Sequence, residues 1–73
     1  MITYDGPEFV KWLEEERVDM RYGFLLTDWD MKLLKEAREG SNLDIYKADN
    51  ILTHADLHLH LIPDRIVVGG PNG

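Results

Sequence analysis

TDWDMKLLKEAREG, residues 27–40, runs straight into SNLDIYKADNILTHAD, residues 41–56, and these two stretches decide the fold class. Thr27 is placed to cap a helix, its hydroxyl accepting from the backbone N–H of Asp30 while the Asp30 carboxylate reaches back to the N–H of Thr27. Met31, Leu33, Leu34 and Ala37 then recur at helical spacing, with Lys32, Lys35, Glu36, Arg38 and Glu39 between them. Gly40 can end the helix in the left-handed conformation, so the pattern predicts a helix over 28–39. Ser41 repeats the capping logic with Asp44 three residues on, ahead of an apolar stripe of Ile45, Ala48, Ile51, Leu52 and Ala55. A second helix is predicted over 42–56. So short a link between the two demands tight helix–turn–helix packing.

Upstream, Gly6-Pro7 signals a helix start, since Pro7 fits the first helical position, and Glu8 complements the dipole there. Phe9, Val10, Trp12 and Leu13 form one face of a helix over 7–17, with Glu14, Glu15 and Glu16 solvated. Val18, Met20, Tyr22, Phe24 and Leu26 alternate, while Gly23 and Leu25 blur the pattern, so 18–26 is either a short extended segment or a second short helix. Downstream, Leu57, Leu59 and Leu61 alternate with His58 and His60, Pro63-Asp64 marks a turn, and Ile66, Val67 and Val68 form a β-branched run. A short hairpin or extended arm packed on the helices fits, as does a short helix ending before Pro63. The expected fold is therefore mainly α: a small three- to four-helix domain with helix–turn–helix packing and a short extended C-terminal arm or hairpin. It forms one domain over 1–68, followed by a flexible Gly-rich tail over 69–73.

Composition narrows the function. The chain has 73 residues, with 8 Lys plus Arg and 14 Asp plus Glu, a formal charge of 8 − 14 = −6. A domain of this length buries only about 60% of the surface its unfolded chain exposes. Without cysteine it has no disulfide framework, thiolate zinc site or cysteine nucleophile. No apolar run nears the length of a membrane span, and neither a secretory signal nor a lipidation motif is visible, so a cytoplasmic protein without a membrane role is expected. G-x-S-x-G, Walker A and G-x-G-x-x-G patterns are absent, and the acidic residues form no catalytic pairing. Neither an enzyme nor a cofactor is expected.

Three constellations remain. His54 and His58 share a face if helical, and His58 and His60 share one if extended, with Asp56 or Asp64 in reach as a carboxylate. A lone H-x-H without H-E-x-x-H support favours solvent-facing imidazoles over a metal site. Lys32, Lys35 and Arg38, with Lys47 on the next helix, can form a phosphate-contacting stripe, or a solvated face in which Lys32–Glu36 and Lys35–Glu39 satisfy each other. Phe9, Trp12, Trp29 and Met31 are expected in the core, although an exposed Trp29 can instead anchor a partner.

From Leu26 to Pro63 the chain resembles the C-terminal half of small helix-turn-helix domains encoded by actinobacterial phages: a capped helix ending in K-E-A-R-E-G, a brief turn, D-I-Y-K-A-D-N-I-L-T-H-A-D-L-H-L, then a proline. The matching positions are Arg38, Glu39, Gly40, Ala48, Asp49, Leu52, Thr53 and Leu57. The resemblance implies a small phage-type regulator binding DNA, with helix 28–39 in the recognition position and Lys32, Lys35 and Arg38 as contacts; Lys47 on the next helix completes the candidate set, and a dimer is expected because one module of this size offers few contacts. Asp28 and Asp30 depart from that pattern, because phosphates repel carboxylates and only a cytosine amino group welcomes one. The acidic balance departs from it too. The competing function is a protein-interaction module, a homodimer or a modulator of a host protein. It would use Trp29 or the Leu57, Leu59 and Leu61 arm, or imitate nucleic acid with its acidic surface.

Overall fold

The computed structural model describes residues 2–16 and 26–69. Its order is β1 (Thr3–Tyr4), α1 (Gly6–Glu16), α2 (Asp28–Arg38), β2 (Leu43–Asp44), α3 (Ile45–His54), two 3-10 turns (Leu59–Leu61 and Asp64–Ile66) and β3 (Val67–Val68). The domain is mainly helical, with a small three-stranded antiparallel sheet. The alternating segment 18–26 lies, but for Leu26, outside the described residues, as do residues 70–73 of the tail.

Each helix starts where a side chain can satisfy its orphan N–H groups. Asp5 caps α1: its Oδ1 accepts from Glu8 N at 3.0 Å and its carbonyl from Phe9 N at 2.8 Å. The first helical residue is therefore Gly6 rather than Pro7. The need is steric, because a Cβ on Gly6 would run into the backbone carbonyl of Ser41 and lie 2.8 Å from that of Ala37. Thr27 and Asp30 form the expected capping box on α2. At its far end, Gly40 takes φ +115°, with Gly40 N donating to Ala37 O and Ser41 N to Glu36 O at 3.0 Å each. That pair of bonds is a Schellman stop, and glycine supplies its left-handed residue without strain.

The segment after Gly40 differs from the sequence expectation. Ser41 does not cap the next helix; its N–H closes the stop of α2, and the cap falls three residues later. Leu43 and Asp44 instead extend and pair with Tyr4 and Thr3, which buries Leu43. Asp44 is itself the cap, its Oδ1 accepting from Lys47 N at 2.8 Å, so α3 runs Ile45–His54 rather than 42–56. The link from α2 to α3 is thus residues 39–44 with a two-residue strand inside it, longer than the one or two residues foreseen. α3 closes with a second Schellman pair, Asp56 N to Thr53 O and Leu57 N to Leu52 O, but its left-handed residue is Asp56 at φ +60°.

The C-terminal arm does not continue the leucine–histidine alternation as a strand. His58 is extended, Leu59–Leu61 form a 3-10 turn, and Pro63 leads into another. Only Val67 and Val68 are strand, antiparallel to β1 on the side opposite β2. The N-terminal strand thereby sits in the middle and ties both distant segments to α1. Below it lies one core: Tyr4, Phe9, Val10, Trp12 and Leu13 against Leu33, Leu34, Ala37, Leu43, Ala48, Ile51, Leu52, Ile62 and Ile66. Tyr4, Phe9 and Trp12 form a tilted aromatic chain with centroids 6.2 and 6.0 Å apart. Two residues expected in the core are not there. Trp29 is 50% exposed and Met31 48%, because the buried face of α2 is Asp30, Leu33, Leu34 and Ala37. At about 100° per residue, Trp29 and Met31 fall on opposite flanks of that face.

Candidate nucleic-acid interface

α2 packs on α1 and α3 through its buried face and turns Asp28, Lys32, Lys35 and Glu39 outward. Residues three apart step back by about 60° around a helix, so Arg38 lies about 120° from Lys32. Arg38 faces α1, where its Nη2 is 3.6 Å from Glu14 Oε1, with both side chains about half exposed. Such a pair adds little stability, on the order of 0–1 kcal/mol, but it neutralises the arginine. The cations that project from the middle of α2 are Lys32 and Lys35. Among the described residues no ion pair joins Lys32 to Glu36 or Lys35 to Glu39. Lys47 is half-buried on α3, on the same flank as Asn50 and His54.

At the start of α2 lies a polar cluster that links two helices. Asp30 is completely buried. Its Oδ2 accepts from Thr27 N and Thr27 Oγ1 at 3.0 Å each, and Asn50 Nδ2 donates to its Oδ1. His54 Nδ1 lies 2.7 Å from Oδ2. That nitrogen is buried and makes no hydrogen bond among the described residues, so the ring and the carboxylate are in close contact without an aligned bond. Asp30 is therefore a capping residue, as its position predicts, and also the acceptor that clamps the start of α2 to the last turns of α3. The sequence signal for the clamp was faint: Asn50 and His54 are four apart at the edge of an apolar stripe, and nothing local identifies their partner.

The other sequence candidates are dispersed. Leu57 and Leu59 pack against the core, while Leu61 is 46% exposed, so the three do not form one surface. The His58 and His60 rings lie nearly parallel, with centroids 5.6 Å apart, and His54 is held elsewhere by Asp30. Among the described residues no three His, Asp or Glu side chains are disposed to share a metal ion. Between α1 and α2 an open groove of about 380 Å3 is lined by Pro7, Val10, Lys11, Glu14, Glu15 and Arg38. Its charges are two basic and two acidic, and one of each, Arg38 and Glu14, are paired. Among the described residues no helix is long and apolar enough to cross a membrane. Comparison with protein-family models, with curated proteins and with solved structures finds no match.

Proposed function

We propose that this chain is a small non-enzymatic regulator of the phage helix-turn-helix type that binds duplex DNA in its host's cytoplasm, with α2 as the inserted helix. The observation that carries this reading is the inward turn of Asp30. With that carboxylate consumed by Thr27, Asn50 and His54, the outward ridge of α2 is Asp28, Lys32, Lys35 and Glu39. Lys32 and Lys35 meet phosphates, and Asp28, in the first turn of α2, accepts from a cytosine amino group on the major-groove edge. Arg38 drops out of the contact set, being occupied by Glu14. One module so sparsely charged binds weakly, and a dimer supplies the second half-site.

The test is fluorescence anisotropy on labelled duplexes across salt concentrations. With Lys32, Lys35 and Lys47 as contacts, log K falls with log salt at a slope of about −2.7 per module, and Lys32→Ala with Lys35→Ala brings it to about −0.9. An unchanged slope in the double variant refutes the reading, as does no binding by the unaltered protein at low salt. A second reading, a protein-binding module, is favoured by Tyr46, 82% exposed, together with exposed Trp29 on an acidic chain. An aromatic anchor of that kind predicts that Trp29→Ala and Tyr46→Ala leave DNA affinity unchanged while abolishing partner capture.

A further inference from the structure

The chain leaving α3 sets two imidazoles side by side on the surface. Leu57 and Leu59 pack against the core, while His58 and His60 are exposed. The backbone that carries them is tied at both ends: Leu57 N donates to Leu52 O at 2.7 Å, and Leu61 N donates to His58 O at 3.0 Å. The two ring centroids lie 5.6 Å apart, with the planes 12° from parallel. A zinc ion bound by two imidazole nitrogens at about 2.0–2.1 Å, in tetrahedral geometry, holds the ring centroids about 5 Å apart. The spacing found is close to that bite. Parallel rings do not aim two nitrogens at one point, but the χ2 torsion that turns a histidine ring has a broad profile. Both rings are exposed, so turning them disturbs no core packing.

We infer that His58 and His60 form half of a zinc-class metal site that a second copy of this chain completes. Two imidazoles leave a tetrahedral ion two positions short, and closed sites hold four protein ligands. Among the described residues no third His, Asp or Glu joins the pair, and His54, the remaining histidine, lies against Asp30. A two-fold axis through the ion presents the same two rings from the partner copy, because an isologous contact uses one patch twice. Leu61, next to His60 and 46% exposed, is then covered by that copy. Charge favours a cation at the junction. Each chain carries −6, so two copies repel, and a divalent ion between them offsets part of the repulsion. Imidazole suits zinc, nickel and copper, whereas magnesium and calcium take oxygen ligands. The pairing supplies the second half-site that the DNA-binding reading calls for, but it does not rest on that reading.

The test is titration of chelator-stripped protein with zinc chloride in a calorimeter, with mass followed by light scattering. The expected result is one zinc for two chains and a doubling of the 8.5 kDa mass, reversed by EDTA. His58→Ala and His60→Ala each abolish the doubling. Both positions are exposed, so these variants melt like the metal-free parent, which separates loss of a ligand from loss of the fold. His54→Ala, measured below its own transition, still pairs with zinc. Leu61→Ala keeps the zinc dependence but needs a higher protein concentration to pair. Several results overturn the inference. One is zinc bound one to one by a chain that stays single, which leaves the second copy no part in the site. Another is doubling that survives both His58→Ala and His60→Ala. A third is equal doubling with magnesium chloride, which marks carboxylate ligands instead. The last is neither heat nor a change of mass on adding zinc.

Discussion

Replacing Asp30 by alanine removes a carboxylate with no accessible surface and strands the donors it served. Thr27 N can turn to water, because Thr27 is exposed. The half-buried Asn50 amide loses the carboxylate to which its Nδ2 donates, and a hydrogen bond to a charged group is worth about 1.5–3 kcal/mol. Loss of half the capping box adds about 1 kcal/mol. About 3 kcal/mol is the central expectation, against a total stability of about 4–11 kcal/mol for a chain of this length. At about 4–8 °C per kcal/mol, the melting temperature falls by about 12–24 °C. Asp30→Asn is a sharper comparison. Its oxygen can keep facing Thr27 and His54, and its NH2 then faces Asn50, whose amide turns over to accept. Every bond is retained in weaker, uncharged form, for a cost of about 1 kcal/mol and a fall of about 4–8 °C. Thermal unfolding followed by far-ultraviolet circular dichroism measures both. An Asp30→Ala variant melting within about 3 °C of the parent refutes the clamp, and so does Asp30→Asn proving as harmful as Asp30→Ala.

Two further predictions rest on separate parts of the fold. Gly6→Ala lowers stability by about 1–3 kcal/mol in denaturant titration, although alanine is the better helix former, because the added methyl meets the carbonyls of Ser41 and Ala37. A neutral or stabilising result shows that α1 and the turn after α2 are less closely apposed than described. Burial, aided by the negative charge of Asp49, raises the pKa of the Tyr4 phenol above its ordinary 10.0. The unfolded chain therefore releases this proton at lower pH than the folded one. Stability from this group is intact below about pH 10 and declines as pH rises from there toward the folded value. Denaturant midpoints for the parent and Tyr4→Phe, compared at neutral and alkaline pH, should diverge only on the alkaline side; parallel curves refute the assignment.

The helices were legible because their signals are local. The capping pair Thr27 and Asp30, the stripe Leu33, Leu34 and Ala37, and the glycine stop lie within one stretch, and each element needs only its neighbours to be specified. Asp44 shows the limit of that logic. As a capping residue it fits either the third position of a helix begun at Ser41 or the cap of a helix begun at Ile45, and local chemistry accepts both. The choice was made by Tyr4, whose strand pairs with Leu43 from the other end of the chain and holds residues 43–44 extended. The same applies to Val67 and Val68, too short a run to reveal a strand without β1 beside it.

The candidate interface divides along the same line. Charge, helix position and the identity of Lys32, Lys35 and Arg38 are sequence properties. Spacing by three also suggested that they act together, but α1 brings Glu14 against Arg38 alone. Asp30 looked like an obstacle at the tip of the helix until α3 supplied Asn50 and His54 to bury it. Periodicity determined which residues become helix and which face of each helix is apolar, because i to i+4 neighbours carry that information. The partners of the polar residues at the edges of those faces were set only by packing. A hydrogen bond between residues 30 and 50 depends on how two helices cross, and no local pattern in either helix encodes that crossing.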